Sequence, residues 1–202
     1  MMKKIISLLM ALCLCLCMGV SAFAAEICED GGAGETPVTL TTTNDGIGGA
    51  PGASATRMSV TVPTTLPLAM TDDGTVVTAT DCRIINHSYG AVRVKNVSIS
   101  TASGWFLTSY GNSSSLASEK VDSNKLGFAL RIGDGEQVKT SGNAAAQTLL
   151  DRPIPGCYMT GAGNAALSKA DVSYDAIVTP LSKPVYNATV ASTVFVVEWD
   201  TV

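Results

Sequence analysis

The stretch Val92-Arg93-Val94-Lys95-Asn96-Val97-Ser98-Ile99-Ser100 alternates apolar and polar side chains and then changes phase at Asn96. Successive side chains of an extended strand point to opposite faces, so this run buries one face as a β-strand, and the phase change marks an inserted residue, a bulge. A helix would scatter the same apolar positions around its circumference. One half-buried strand cannot stand alone, and the chain supplies partners. In all, β-like runs are expected at 58–62, 66–70, 75–86, 91–101, 105–110, 125–132, 137–140, 171–180 and 191–201. Turn signals separate them: Asp72-Asp73-Gly74, Ser88-Tyr89-Gly90, Ser103-Gly104 and Gly133-Asp134-Gly135-Glu136. Asp and Gly readily supply the positive φ that tight turns need. Only 113–121 and 143–151 look helical, and both are short. Many brief strands with regular turns predict an all-β fold, an antiparallel β-sandwich or jelly-roll-like single domain over residues 58–202.

The N-terminus has a different logic. Lys3 and Lys4 precede a sixteen-residue apolar run, 5–20, which ends in Ser21-Ala22-Phe23-Ala24-Ala25. Charge, then apolar run, then small residues is the pattern of a secretory signal peptide, with an A-x-A cut after Ala24. A retained anchor needs roughly 20 consecutive apolar residues. Cys13, Cys15 and Cys17 each follow Leu, where lipidation wants a small residue. The expectation is a signal peptide over 1–24, secretion to the extracellular space or the cell wall, and no membrane attachment after cleavage. Residues 25–57 read as a flexible, Gly-rich arm carrying one short strand at 36–43, Thr-Pro-Val-Thr-Leu-Thr-Thr-Thr.

Removing Lys3 and Lys4 leaves eleven basic residues against seventeen acidic, a formal charge of −6. The basic residues are scattered singly, which excludes a nucleic-acid surface built on clustered Lys and Arg. Cys28, Cys82 and Cys157 remain in the mature chain, an odd number. Cys82 and Cys157 are candidates for one internal disulfide with Cys28 spare; alternatively, Cys28 links to another copy.

A search for chemistry finds little. His87 is the single histidine and sits at a strand end entering a turn, so a solvent-facing or locally hydrogen-bonded side chain is expected. No G-x-S-x-G surrounds a serine, and no H-x-x-x-H or C-x-x-C suits a metal. Glu198 and Asp200 flank Trp199 and would share one face of a strand, as acids on the wet side of an edge commonly do. The expectation is therefore a non-catalytic protein with no catalytic residue, cofactor or metal ligand.

Leu66-Pro67-Leu68, Arg83-Ile84-Ile85-Asn86, Val94-Lys95-Asn96-Val97-Ser98-Ile99, Gly104-Trp105-Phe106-Leu107 and the closing Val194-Phe195-Val196-Val197-Glu198-Trp199 together resemble a WxL-type wall-associated domain of secreted Gram-positive bacterial proteins. The first tryptophan motif is Trp105-Phe106-Leu107; the terminal one, Trp199-Asp200-Thr201, departs from the pattern at the leucine. The resemblance implies noncovalent attachment to peptidoglycan or another cell-wall polymer. Signal peptide, Gly-rich arm and sandwich also resemble camelysin-like and biofilm-fibre proteins of the same bacteria. That resemblance implies self-association through the N-terminal arm, whose strand completes a neighbour's sheet; the alternative is that 36–43 forms the first edge strand of its own domain. The leading expectation is a cell-surface or extracellular-matrix structural protein. The other is a soluble carbohydrate- or peptide-binding module contacting its ligand through Trp105, Tyr110 and Trp199.

Overall fold

A computed structural model describes residues 57–111 and 113–201. The expected signal segment, Cys28 and the strand expected at 36–43 lie outside the described residues. The described residues belong to one compact unit.

The described residues contain twelve strands and one short helix. They are β1 (Val60–Thr61), β2 (Leu68–Met70), β3 (Val76–Thr78), β4 (Arg83–Asn86), β5 (Val92–Thr101), β6 (Phe106–Thr108), α1 (Ser114–Ala117), β7 (Lys125–Ile132), β8 (Val138–Lys139), β9 (Ala146–Leu150), β10 (Tyr158–Met159), β11 (Lys169–Val178) and β12 (Ala191–Trp199). One sheet runs β1-β4-β11-β7-β6, with β8 also on β7; the second runs β10-β5-β12, with β9 also on β5; β2 and β3 form a hairpin. The fold is all-β, as the sequence predicts, and its sheets are antiparallel with one exception. β6 pairs parallel to β7, and the segment between them, which carries α1, is long enough for the crossover a parallel pair requires.

The phase change in β5 is a bulge. Val196 of β12 faces Asn96, yet Val197 faces Val94, so Lys95 is the unmatched residue. Val92, Val94, Val97 and Ile99 consequently all face inward and are essentially excluded from solvent. They meet Leu126, Phe128, Leu130 and Ile132 of β7 and Val172 and Tyr174 of β11 in a single core cluster. The alternation on β7 and β11 thus matches that on β5 across the layer, which is the sandwich arrangement.

Several boundaries differ from expectation. The run 75–86 is two strands, because β3 turns into the hairpin while β4 joins the main sheet. Residues 143–151, expected to be helical from Ala-Ala-Ala-Gln-Thr-Leu-Leu, contain β9, which pairs with β5 through Val97↔Leu150 and Ile99↔Gln147. Intrinsic helix propensity is a weak prior, and burial of Leu150 against the sheet overrides it. β10 was not anticipated: two residues following Pro155 and Gly156 carry no periodicity.

Turn chemistry places the chain as predicted. In the β2–β3 hairpin, Asp73 Oδ1 accepts from Thr71 Oγ1 at 2.5 Å and from Thr75 N at 3.0 Å. Asn86 is buried and holds the Ser88-Tyr89-Gly90 turn, donating Nδ2 to Gly90 O at 2.9 Å while its Oδ1 accepts from Ser88 N at 2.9 Å. That turn carries the chain from β4 in one sheet to β5 in the other.

Candidate functional site

Cys82 and Cys157 are free thiols, so the internal disulfide expected between them is absent. Backbone pairing gives the reason. Cys82 O accepts from Val172 N in one sheet, and Cys157 O accepts from Val94 N in the other, at 2.8 and 2.9 Å. Packed sheets lie about 10 Å apart, whereas a disulfide needs Cα atoms within about 7 Å. Cys157 is fully buried, and burial pushes its thiol pKa up. Cys82 is partly exposed.

The three aromatic residues expected to form a contact surface are dispersed. Trp105 follows the end of β5, whereas Trp199 pairs with Val92 at its beginning, about 30 Å apart along the strand. Both are half-buried and pack against the core. Tyr110 belongs to the other sheet's side: its hydroxyl donates to Asp175 Oδ2 at 2.6 Å, and Lys139 Nζ lies 5.5 Å from the ring centroid. The bond to Asp175, helped by burial, pushes the phenol pKa up to about 12. Trp105, Tyr110 and Trp199 therefore do not make one platform.

His87 Nε2 lies 2.9 Å from Thr61 Oγ1 on the surface, a local hydrogen bond of the kind expected. Glu198 and Asp200 do share a face, and both are committed to Arg93. The guanidinium donates Nε to Glu198 Oε1 at 2.9 Å and Nη1 to Asp200 Oδ1 at 3.3 Å, while Lys95 Nζ sits 2.9 Å from Glu198 Oε2. Hydrogen bonds from Lys95 and Arg93 hold the Glu198 carboxyl below its ordinary range. Such a carboxylate is a poor proton donor. Among the described residues no three His, Cys, Asp or Glu side chains gather as a metal site.

Two surface features remain. The first is β12, nine residues long and, among the described residues, hydrogen-bonded only to β5. Ala102 N donates to Val190 O and Asp200 N donates to Ala91 O. Because the bulge lies on β5, parity along β12 is unbroken: Ser192, Val194, Val196 and Glu198 turn their backbone groups to β5. Ala191, Thr193, Phe195, Val197 and Trp199 turn theirs outward. On the outer face Val194 and Val196 are 54% and 41% exposed. Other edges are shorter or covered; β6, for example, exchanges hydrogen bonds with Ala144 through Leu107 on its outer side.

The second is a groove of about 470 Å³ between β10 and the start of β11, lined by Asp134, Tyr158, Thr160, Leu167 and Lys169 among others. Its floor is backbone. Gly133 and Gly156 both have positive φ, and a Cβ on Gly156 would lie 2.2 Å from Ile132 O. Tyr158 and Leu167 are half exposed, and Thr160 Oγ1 is buried with no hydrogen-bond partner. Neither β10 nor this floor was legible from periodicity.

No family model matches this chain. No curated protein and no solved structure matches it either.

Proposed function

We propose that this chain is a non-catalytic, secreted structural protein of the cell surface or extracellular matrix, and that the open edge of β12 is the surface through which it self-associates. The observation that carries this reading is the length and composition of that edge. Unpaired strand edges template further strand pairing, and soluble proteins ordinarily blunt them with Lys, Pro, a bulge or a short strand. From Ala191 to Val197, β12 has none of these, and Val194 and Val196 extend the apolar surface outward.

Attachment to peptidoglycan or another wall polymer is the second form of the same role. The groove beside β10 favours it: aromatic Tyr158, apolar Leu167 and the charged Asp134 and Lys169 along one cleft suit a hydroxyl-rich polymer. The same groove favours the binding-module alternative, with Tyr158 rather than the tryptophans as its aromatic residue.

Sedimentation of residues 25–202, alone and with isolated Gram-positive cell walls, separates these. Concentration-dependent growth in mass without walls supports self-association. Pelleting only with walls supports attachment, and a monomer that ignores walls supports the binding module and ends the structural reading.

A further inference from the structure

Resting on the self-association reading, we propose that the occupant of the β12 edge is β12 of a second copy, paired antiparallel about a two-fold axis at Phe195. The sequence of the strand fits itself in that register. Residues opposite one another sum to twice 195, so Phe195 faces Phe195 of the second copy, Thr193 faces Val197 and Ala191 faces Trp199. These are the residues whose N–H and C=O groups point outward, as a hydrogen-bonded antiparallel pair demands. Five such pairs, counting both directions, exchange about ten main-chain bonds.

The outer face is equally self-complementary. Val194 falls opposite Val196 of the second copy and Val196 opposite Val194, so four half-exposed valines cover one another. Ser192 falls opposite Glu198. Like charges directly opposite would oppose pairing, but the antiparallel arrangement sends the two acidic ends apart. Each Glu198 is moreover neutralised within its own copy by Arg93 and Lys95. A register shifted by two residues would keep one valine against its own copy but place the other against a serine or a carboxylate.

An isologous contact of this kind closes: it uses the edge once per copy and ends as a dimer. The dimer joins two sheets into one continuous sheet with no open edge at its centre. The competing occupant is the segment 36–43, from the same or another copy.

Cysteine pairing in the full mature chain distinguishes them. Val194 and the second copy's Val196 form a non-hydrogen-bonded pair, the closely spaced kind with Cα atoms about 4.5 Å apart, within the range a disulfide bridges. In a Cys28→Ser background, Val194→Cys and Val196→Cys chains are prepared separately and oxidised with oxidised glutathione. The bond forms as two thiols give up two protons and two electrons to the glutathione disulfide, releasing two molecules of the thiol. The expected result is a covalent dimer on a non-reducing gel when the two variants are mixed, with each variant alone no higher than the parent. Val194→Glu is expected to sediment as a monomer, and mixing it with Val196→Lys is expected to restore a two-fold mass. Both positions are exposed, and near-UV circular dichroism checks that the fold is retained. Assembly without the mixed cross-link, with Val194→Cys instead joining Thr39→Cys, overturns this proposal in favour of the arm while leaving self-association standing. A chain that stays monomeric throughout overturns both.

Discussion

Residue environments account for reactivity better than residue identities do. Two thiols with the same chemistry differ because one sulfur lies under both sheets and the other beside a loop carbonyl, Thr65 O. A thiol reagent is expected to label Cys82 in the folded protein and Cys157 only on unfolding, as read by mass spectrometry; rapid native labelling of Cys157 would contradict its burial. Tyr110 gives a pH dependence. Its pKa is raised in the fold to about 12, so the neutral form is favoured there. The stability from the Tyr110–Asp175 bond is therefore complete below the free phenol's range near 10 and is lost as pH rises through about 12. Tyr110→Phe is expected to cost about 1 kcal/mol at neutral pH, the usual net worth of a partly buried hydrogen bond, and to flatten the alkaline limb of a urea-midpoint against pH curve. An unchanged alkaline limb would show that the hydroxyl bond contributes nothing.

Among the elements, the loops before β8 and β10 decide where β10 goes. Gly135 and Gly156 let two backbones approach so closely that a Cβ on either would come within 2.2 Å of a carbonyl oxygen, Pro155 O and Ile132 O respectively. Gly156 also has φ +89. Gly156→Ala is expected to destabilise by about 2 to 3 kcal/mol, combining steric overlap with a backbone conformation that L residues avoid. Gly142 is the control: its φ is +68 but nothing lies within 4 Å of a Cβ there, so Gly142→Ala should cost only the conformational part, about 1 to 2 kcal/mol. Equal costs for the two in urea unfolding would remove the close-approach argument. The β2–β3 hairpin depends on one side chain in the same way. Tyr174, stacked on Phe128, donates its hydroxyl to Pro67 O at 2.8 Å and accepts from Ala79 N at 3.2 Å. Those bonds fasten both flanks of the hairpin to β11.

At the scale of the whole molecule, one core serves both sheets, so the sandwich should unfold as a unit. The two tryptophans sit at opposite ends of the β5–β12 pair and both touch the core. Trp105→Phe and Trp199→Phe each leave one reporter, and the fluorescence midpoint of each variant is expected to coincide with its own far-UV circular dichroism midpoint. Separate midpoints would mean that one end of the sandwich opens before the other.

Sequence alone determined the local terms: the class of fold, the bulge at Lys95-Asn96, the faces of β5 and the turns at Asp72-Asp73-Gly74 and Gly133-Asp134-Gly135. Each follows from side-chain alternation or from the φ preferences of Asp and Gly, which act within a few residues. Tertiary structure decided the rest. The strand at Ala146–Leu150 exists because β5 offers it a partner, against its own helical composition. The two cysteines stay apart because their strands belong to different sheets, and the tryptophans stay apart because β5 is long. Which edge is open is likewise a property of sheet order. The acids flanking Trp199 fit the wet side of an edge, but it is the place of β12 at the end of β10-β5-β12 that leaves half its backbone groups and two of its valines facing outward. Strand periodicity specifies which side chains turn inward; it carries no information about which neighbour, if any, lies alongside.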